Sequence, residues 1–415
     1  MDNLEVNQSP QTEPRLFYGY VVVVAIFILQ VVMFGSRSSF GVFFKPLLID
    51  FGWSRALISG AFSFSVIMQG ISGIVMGGLN DRVGPRAVIT LCGFLIGLGY
   101  LLMSQISTAW QLYLLYALTI GIGMGGLFTP QLSTVARWFV KRRSVMTGVV
   151  IAGGGIGGMI SPPVINWLIS TYGWRNAYAI IGSVVLVIVI LAAQFLRRDP
   201  AKMGQVPYGE KKGDEERLDS GREGFSFKEA ILTRQFWMVF LTICCFGFSQ
   251  SANAVHIVPH AIDLGFSSAS AANILATFSG SFLVGGIVLG SIADRIGNRQ
   301  TFVICFILMP AALFWLLVAR ELWMLYLFVI ALGFGAGGTG MLESTLPAEL
   351  FGMKSHGLIL GVISGGFTIG GAIGPFIVGY IFDVSGSYQL AFLITAFIGI
   401  IGLILSATLR PVHKL

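Results

Sequence analysis

Charged side chains are scarce in this sequence. Asp, Glu, Lys and Arg make up 11% of its 415 residues, apolar types reach 55%, and the mean hydropathy is +0.82. A soluble domain needs roughly a quarter of its residues charged, so a water-soluble enzyme or binding domain is excluded. A phosphate-cradling GxxxxGK[ST] loop is also missing, which removes ATP hydrolysis as a driving force. Cys92, Cys244, Cys245 and Cys305 show no CxxC pairing and read as small packing residues in apolar runs. His256 and His260 stand one helical turn apart without an evident third ligand, and no Ser/His/acid set stands out. No catalytic residue, metal or cofactor is therefore expected. Residues 1–16 lack the basic start and short apolar core of a secretory signal, so the first apolar run is expected to remain as a helix.

What the chain has is apolar length. Stretches at 18–48, 55–79, 87–105, 110–136, 144–170, 175–196, 234–262, 268–293, 300–319, 322–349, 356–383 and 388–409 are predicted as membrane helices, since about 20 apolar residues cross the hydrocarbon core. Lipid leaves backbone groups no partner but one another, and continuous runs of this length fit helices rather than alternating strands. Of the 26 Lys and Arg, all but Arg37, Lys45, Arg55, Arg175 and Arg320 fall on the side that carries both termini. The positive-inside rule makes that side cytoplasmic, in the cell's inner (plasma) membrane. The net charge of +7 is then a topological signal facing anionic headgroups, and no nucleic-acid partner is expected.

The sequence also repeats itself. Asp50, Gly52 and Ser54 recur as Asp263, Gly265 and Ser267, at an offset of 263 − 50 = 213. Gly77, Asp81, Arg82, Gly84 and Arg86 recur at the same offset as Gly290, Asp294, Arg295, Gly297 and Arg299, and Gly157 and Pro162 as Gly370 and Pro375. Duplication of six helices gives parallel halves. The expected fold is an all-α integral membrane protein of twelve helices, with halves at 1–196 and 234–415. The segment 197–233, rich in charge, Gly and Pro, reads as a cytoplasmic linker.

The duplicated loop Gly77 to Arg86 and its copy Gly290 to Arg299 have the form GxxxDRxGxR, which resembles the signature of the major facilitator superfamily. The resemblance implies a cytoplasmic gate of Asp81, Arg82, Arg86, Arg142, Arg143, Asp294, Arg295 and Arg299. In it Asp81 meets the helix start near Ser355, and Asp294 the one near Ser144, when that side is shut; a helix N-terminus favours an anion. A tight basic turn that only fixes topology is the plainer reading. The run Trp138 to Gly148, continuing through Gly153, Gly154 and Gly155 to Gly157, and Phe43-Phe44-Lys45 look like the bacterial monocarboxylate transporter and oxalate-formate antiporter group. By that resemblance Lys45 matches a lysine implicated in proton coupling. Phe282 and Gly286 stand where the family carries an Asp and a substrate-gripping Arg.

Arg37, past the middle of the first helix, is the candidate replacement: a charge at that depth is costly unless it faces a polar cavity, and its fork of donors fits a carboxylate. Gln250 lies 213 residues on, followed by Asn253 and His256 on the same helix, which completes the expected substrate site. Lys45, His256 and Glu343 are the proton-coupling candidates, each with a structural alternative. The expected function is secondary transport of a small organic anion, a monocarboxylate with a proton, by alternating access in a monomer. An oxalate-formate type of exchanger, an exporter of a more apolar compound and a transporter-like sensor stay open as alternatives.

Overall fold

The computed structural model describes residues 17–139, 143–209, 224–352 and 355–409. Ten described segments are long and apolar enough to cross a membrane. One of them, Met146–Gln194, is two helices joined at Gly173 (φ 80°), and the shorter run Ala109–Gly125 resumes after a turn at Gly126 and Leu127 as helix to Trp138, which brings the helices to twelve. In the first half they are α1 (Tyr18–Phe51), α2 (Arg55–Val83), α3 (Pro85–Met103), α4 (109–138), α5 (143–172) and α6 (174–194). The second half holds α7 (Arg234–Asp263), α8 (Ser268–Ile296), α9 (Asn298–Val318), α10 (Leu322–Phe351), α11 (His356–Ser385) and α12 (Gln389–Thr408). The chain enters α1 and leaves α12 on one face, called here the terminal face, and the opposite one is the far face.

The repeated residues are the ones that end and start helices. Gly52 (φ 64°) and Gly265 (φ 94°) turn the chain after α1 and α7 in a conformation that costs other residues a clash with their own Cβ. Ser54 and Ser267 then accept the backbone N–H of Leu57 (3.2 Å) and Ser270 (3.1 Å), supplying a partner that the helix start lacks.

Within each half, glycine sets the packing. A Cβ at Gly153 of α5 would fall 2.7 Å from the Phe27 carbonyl oxygen of α1, and one at Gly366 of α11, its repeat partner, 2.6 Å from the Phe240 oxygen of α7. Helices can approach backbone to backbone in lipid only where such small residues stand. The linker docks by the same symmetry: Tyr208 donates its N–H to the Trp138 oxygen (2.9 Å) and Phe225 to that of Phe351 (2.8 Å), the two acceptors again 213 apart.

The halves meet through α2 against α11, α5 against α8 and the end of α1 against α7. A Cβ at Gly70 would lie 2.8 Å from Thr368 Cγ2, one at Gly158 2.8 Å from Ser279 Oγ, and one at Gly41 2.8 Å from the Ala254 oxygen. Among the described residues, the hydrogen bonds and ion pairs that join the halves all lie at the far face. Nearer the terminal face, at Gly148, Gly361 and Gly365, an added Cβ would meet nothing within 4 Å.

Candidate functional site

Arg37 sits where α1 tightens. Ser39 departs from regular helix (φ −85°, ψ 0°), its N–H turns back to the Arg37 carbonyl, and its hydroxyl bonds the Gly35 oxygen at 3.0 Å. The guanidinium lies 5.5 Å from the centroid of the Phe62 ring, a favourable place for a cation over a π-face. That ring belongs to an aromatic group with Phe40 (5.2 Å) and, through Phe40, Tyr116 (4.5 Å). Tyr116 is carried by a widened π-helical stretch, Tyr113–Ile120, of α4. Arg37 Nη1 donates to the Oε1 of Gln69 on α2. Among the described residues no carboxylate pairs with Arg37, so a half-buried cation is met by one neutral amide and a ring.

From the other half, α7 brings Gln250 and Asn253 to the same level. The α1 and α7 backbones touch at Gly41 and Ala254, one turn farther toward the far face than Arg37 and Gln250 respectively. Asn253 donates its Nδ2 to the Ser249 oxygen at 2.7 Å, which fixes the orientation of the amide and leaves Oδ1 buried without a partner. Gln250 Oε1 and Ser249 Oγ are likewise buried and unpartnered. Such acceptors cost free energy unless a water or ligand donates to them.

His256 and Lys45 lie apart from this pair, at the far-face joint. His256 is fully buried, with Nε2 2.8 Å from the Pro375 carbonyl oxygen and Nδ1 3.0 Å from the Tyr388 hydroxyl. A carbonyl can only accept, so Nε2 carries the hydrogen and Nδ1 accepts from Tyr388. Lys45 pairs with Asp263, as does Arg55. Glu343 of α10 is half-buried and accepts from Ser364 of α11 at 2.6 Å.

Of the expected gate residues, Arg82 and Arg295 are exposed at the terminal face. Arg86 and Arg299 are each tied within their own half, Arg86 to Gln194 and Arg299 to the Ala407 oxygen (3.0 Å), pairs that again correspond at the 213 offset. Arg142 lies outside the described residues, and the side chains of Asp81, Arg143 and Asp294 do too. The described residues hold no group of three potential metal ligands.

Positions 282 and 286 lie where α8 packs against α10. A Cβ at Gly337 of α10 would fall 2.7 Å from the Gly286 nitrogen of α8, and one at Gly333 2.6 Å from the Phe278 oxygen. The two backbones are in contact there, and a Cβ at Gly286 itself would lie 3.3 Å from the Gly337 oxygen. Gln69, Phe62 and Tyr116 were not singled out from the sequence. The available signal was the repeat: Gln69 lies 32 residues after Arg37, as Phe282 does after Gln250, so the half that keeps a cation also has an amide in position to meet it.

The family model described as Major Facilitator Superfamily matches residues 26–267 and 239–414. Curated relatives include monocarboxylate transporter 13 of Rattus norvegicus, 27% identical over 383 residues (91% of this chain, 85% of that protein), and its Bos taurus counterpart at 29% (91% and 86%). An uncharacterised MFS-type transporter, YhjX, of Escherichia coli is 28% identical across 75% of this chain and 76% of its own. Among solved structures, a bacterial homologue of the human lysosomal transporter Spinster, inward-facing and occupied, superposes with TM-score 0.76 at 15% identity, covering 95% of this chain and 97% of that one. The nucleoside transporter NupG does so at 0.75 and 13%, covering 93% and 99%.

Proposed function

Because the chain belongs to the major facilitator superfamily, we propose that it is a secondary transporter of small organic anions, with a monocarboxylate as substrate and a proton as the coupled ion. The observation that carries this reading is Arg37: a cation inside a transmembrane helix, bonded to Gln69 and facing no described carboxylate. Leaving such a charge in the membrane without a counter-ion is costly, and an anionic substrate supplies one each cycle. The unpartnered oxygens of Gln250 and Asn253, at the same level on the other half, would take hydrogens from the substrate or its bound water. The relatives' names point to the same substrate class.

In this reading the terminal face is cytoplasmic, following the basic residues, and the far face is outer. Joined at the far face and spaced apart near Gly148 and Gly361, the halves then form an inward-facing state of an alternating-access cycle in a monomer. The test is binding of small carboxylates to purified protein by calorimetry. Losing one partner of a buried charge pair costs about 2–5 kcal/mol, so Arg37→Ala should abolish binding at micromolar ligand with the fold intact. Arg37→Lys should recover only part, because an ammonium lacks the planar fork. Parental affinity in Arg37→Ala would remove Arg37 from the site and the anion from the proposal.

A further inference from the structure

The repeat makes Asp50 and Asp263 equivalents, yet the structure gives them opposite uses. Asp50, at the end of α1, is neutralised inside its own half by Arg175 at the start of α6 (2.7 Å). The residue 213 on from Arg175 is Tyr388, which carries no charge. Asp263 therefore turns across the interface to Lys45 and Arg55 of the first half. Around that crossing the joint is dense. Arg55 Nη1 donates to the Tyr388 hydroxyl at 2.6 Å, and its guanidinium lies 3.8 Å from the Phe382 ring centroid. Tyr388 passes its own hydrogen to His256, which is anchored on Pro375. Asp383, at the end of α11, accepts the free backbone N–H groups of Arg55 (2.9 Å) and Ala56 (2.7 Å), so an acid of one half caps α2 of the other.

We propose that this cluster is an outer lock, and that the tyrosine at position 388, where the first half has Arg175, is what leaves Asp263 free to hold the opposite half. His256 and Lys45 then act in gating, not in contact with the substrate. The lock holds the inward-facing state, and opening the outer side requires Asp263 and Asp383 to release Arg55 together with the start of α2. The proposal rests on the sidedness assigned above, and the experiment separates the two.

Ser59, fully buried where α2 crosses Gly379 of α11, is the reporter. Ser59→Cys is placed in the otherwise parental chain, and a membrane-impermeant maleimide is applied to intact cells and, separately, to inverted vesicles, with the parent lacking the new cysteine as background. Low labelling of Ser59→Cys from both sides is expected. Adding Asp263→Asn should raise labelling several-fold on intact cells. Tyr388→Arg, which offers Asp263 a partner in its own half, should do the same. Tyr388→Phe keeps the ring, removes the hydroxyl that holds Arg55, and should give a smaller rise should the arginine variant fail to fold. A rise confined to inverted vesicles would keep the lock and overturn the sidedness. Labelling equal to that of Ser59→Cys alone in every folded variant, from either side, would overturn the lock.

Discussion

At the scale of single residues, the ionisable groups of the membrane region differ in how completely they are satisfied. Arg37 has one neutral partner and further donors to spare, whereas His256 has both ring nitrogens engaged. Gln69 is thus a positioning residue for Arg37. A hydrogen bond to a charged group is worth about 1.5–3 kcal/mol, so Gln69→Leu should lower the unfolding temperature and, with Arg37 no longer held in place, also weaken carboxylate binding in calorimetry. His256→Phe should differ in its effect on binding. It strands the Tyr388 hydroxyl and the Pro375 oxygen, at about 1–3 kcal/mol for each buried group left unmade, so thermal unfolding in detergent should shift down while binding at Arg37 persists. Reading the sequence placed Arg37 and His256 together as polar residues on lipid-embedded helices. It had no means of separating them, because what divides them is whether a neighbouring element, α11 or the Tyr388 turn, supplies the missing partners.

At the scale of helices, more was legible. Helix lengths, the Gly52 and Ser54 punctuation, the glycine face of α5 and the 213-residue repeat all follow from local rules, and the structure has each of them. What escaped was the place where local rules are overridden by a neighbour. Positions 282 and 286 looked like a lost substrate grip, and in the fold they are also where α8 lies against α10. A Cβ at Gly286 would lie 3.3 Å from the Gly337 oxygen, so Gly286→Arg requires α10 to give way by a few tenths of an ångström and should lower the unfolding temperature. The facing change, Gly337→Ala, drives one methyl into the Phe282 carbonyl oxygen and to within 2.7 Å of the Gly286 nitrogen. Overpacking of this kind costs about 1–3 kcal/mol, which a drop in the unfolding temperature would report.

At the scale of the whole molecule, a transporter that couples a proton to a carboxylate needs a titratable group whose exposure changes as the halves rock. The acids of the far-face joint are already engaged, because Asp263 sits between two cations and Asp383 caps a helix. Glu343 differs: it lies near the terminal-face end of α10, half-buried, bonded to the hydroxyl of Ser364, with no described cation beside it. A carboxyl with a hydroxyl for a partner keeps a partner in either protonation state, since the hydroxyl can donate or accept. In vesicles with an imposed pH gradient, the parent should accumulate labelled carboxylate when the side it enters from is acidic. Glu343→Gln should fall to the level seen without a gradient, yet still exchange labelled for unlabelled substrate across the membrane, because Arg37 and its bond to Gln69 are left in place. Parental uptake that ignores the gradient and requires substrate on the opposite side would instead identify an obligatory exchanger, and Glu343 would then be a helix-packing residue tied to Ser364.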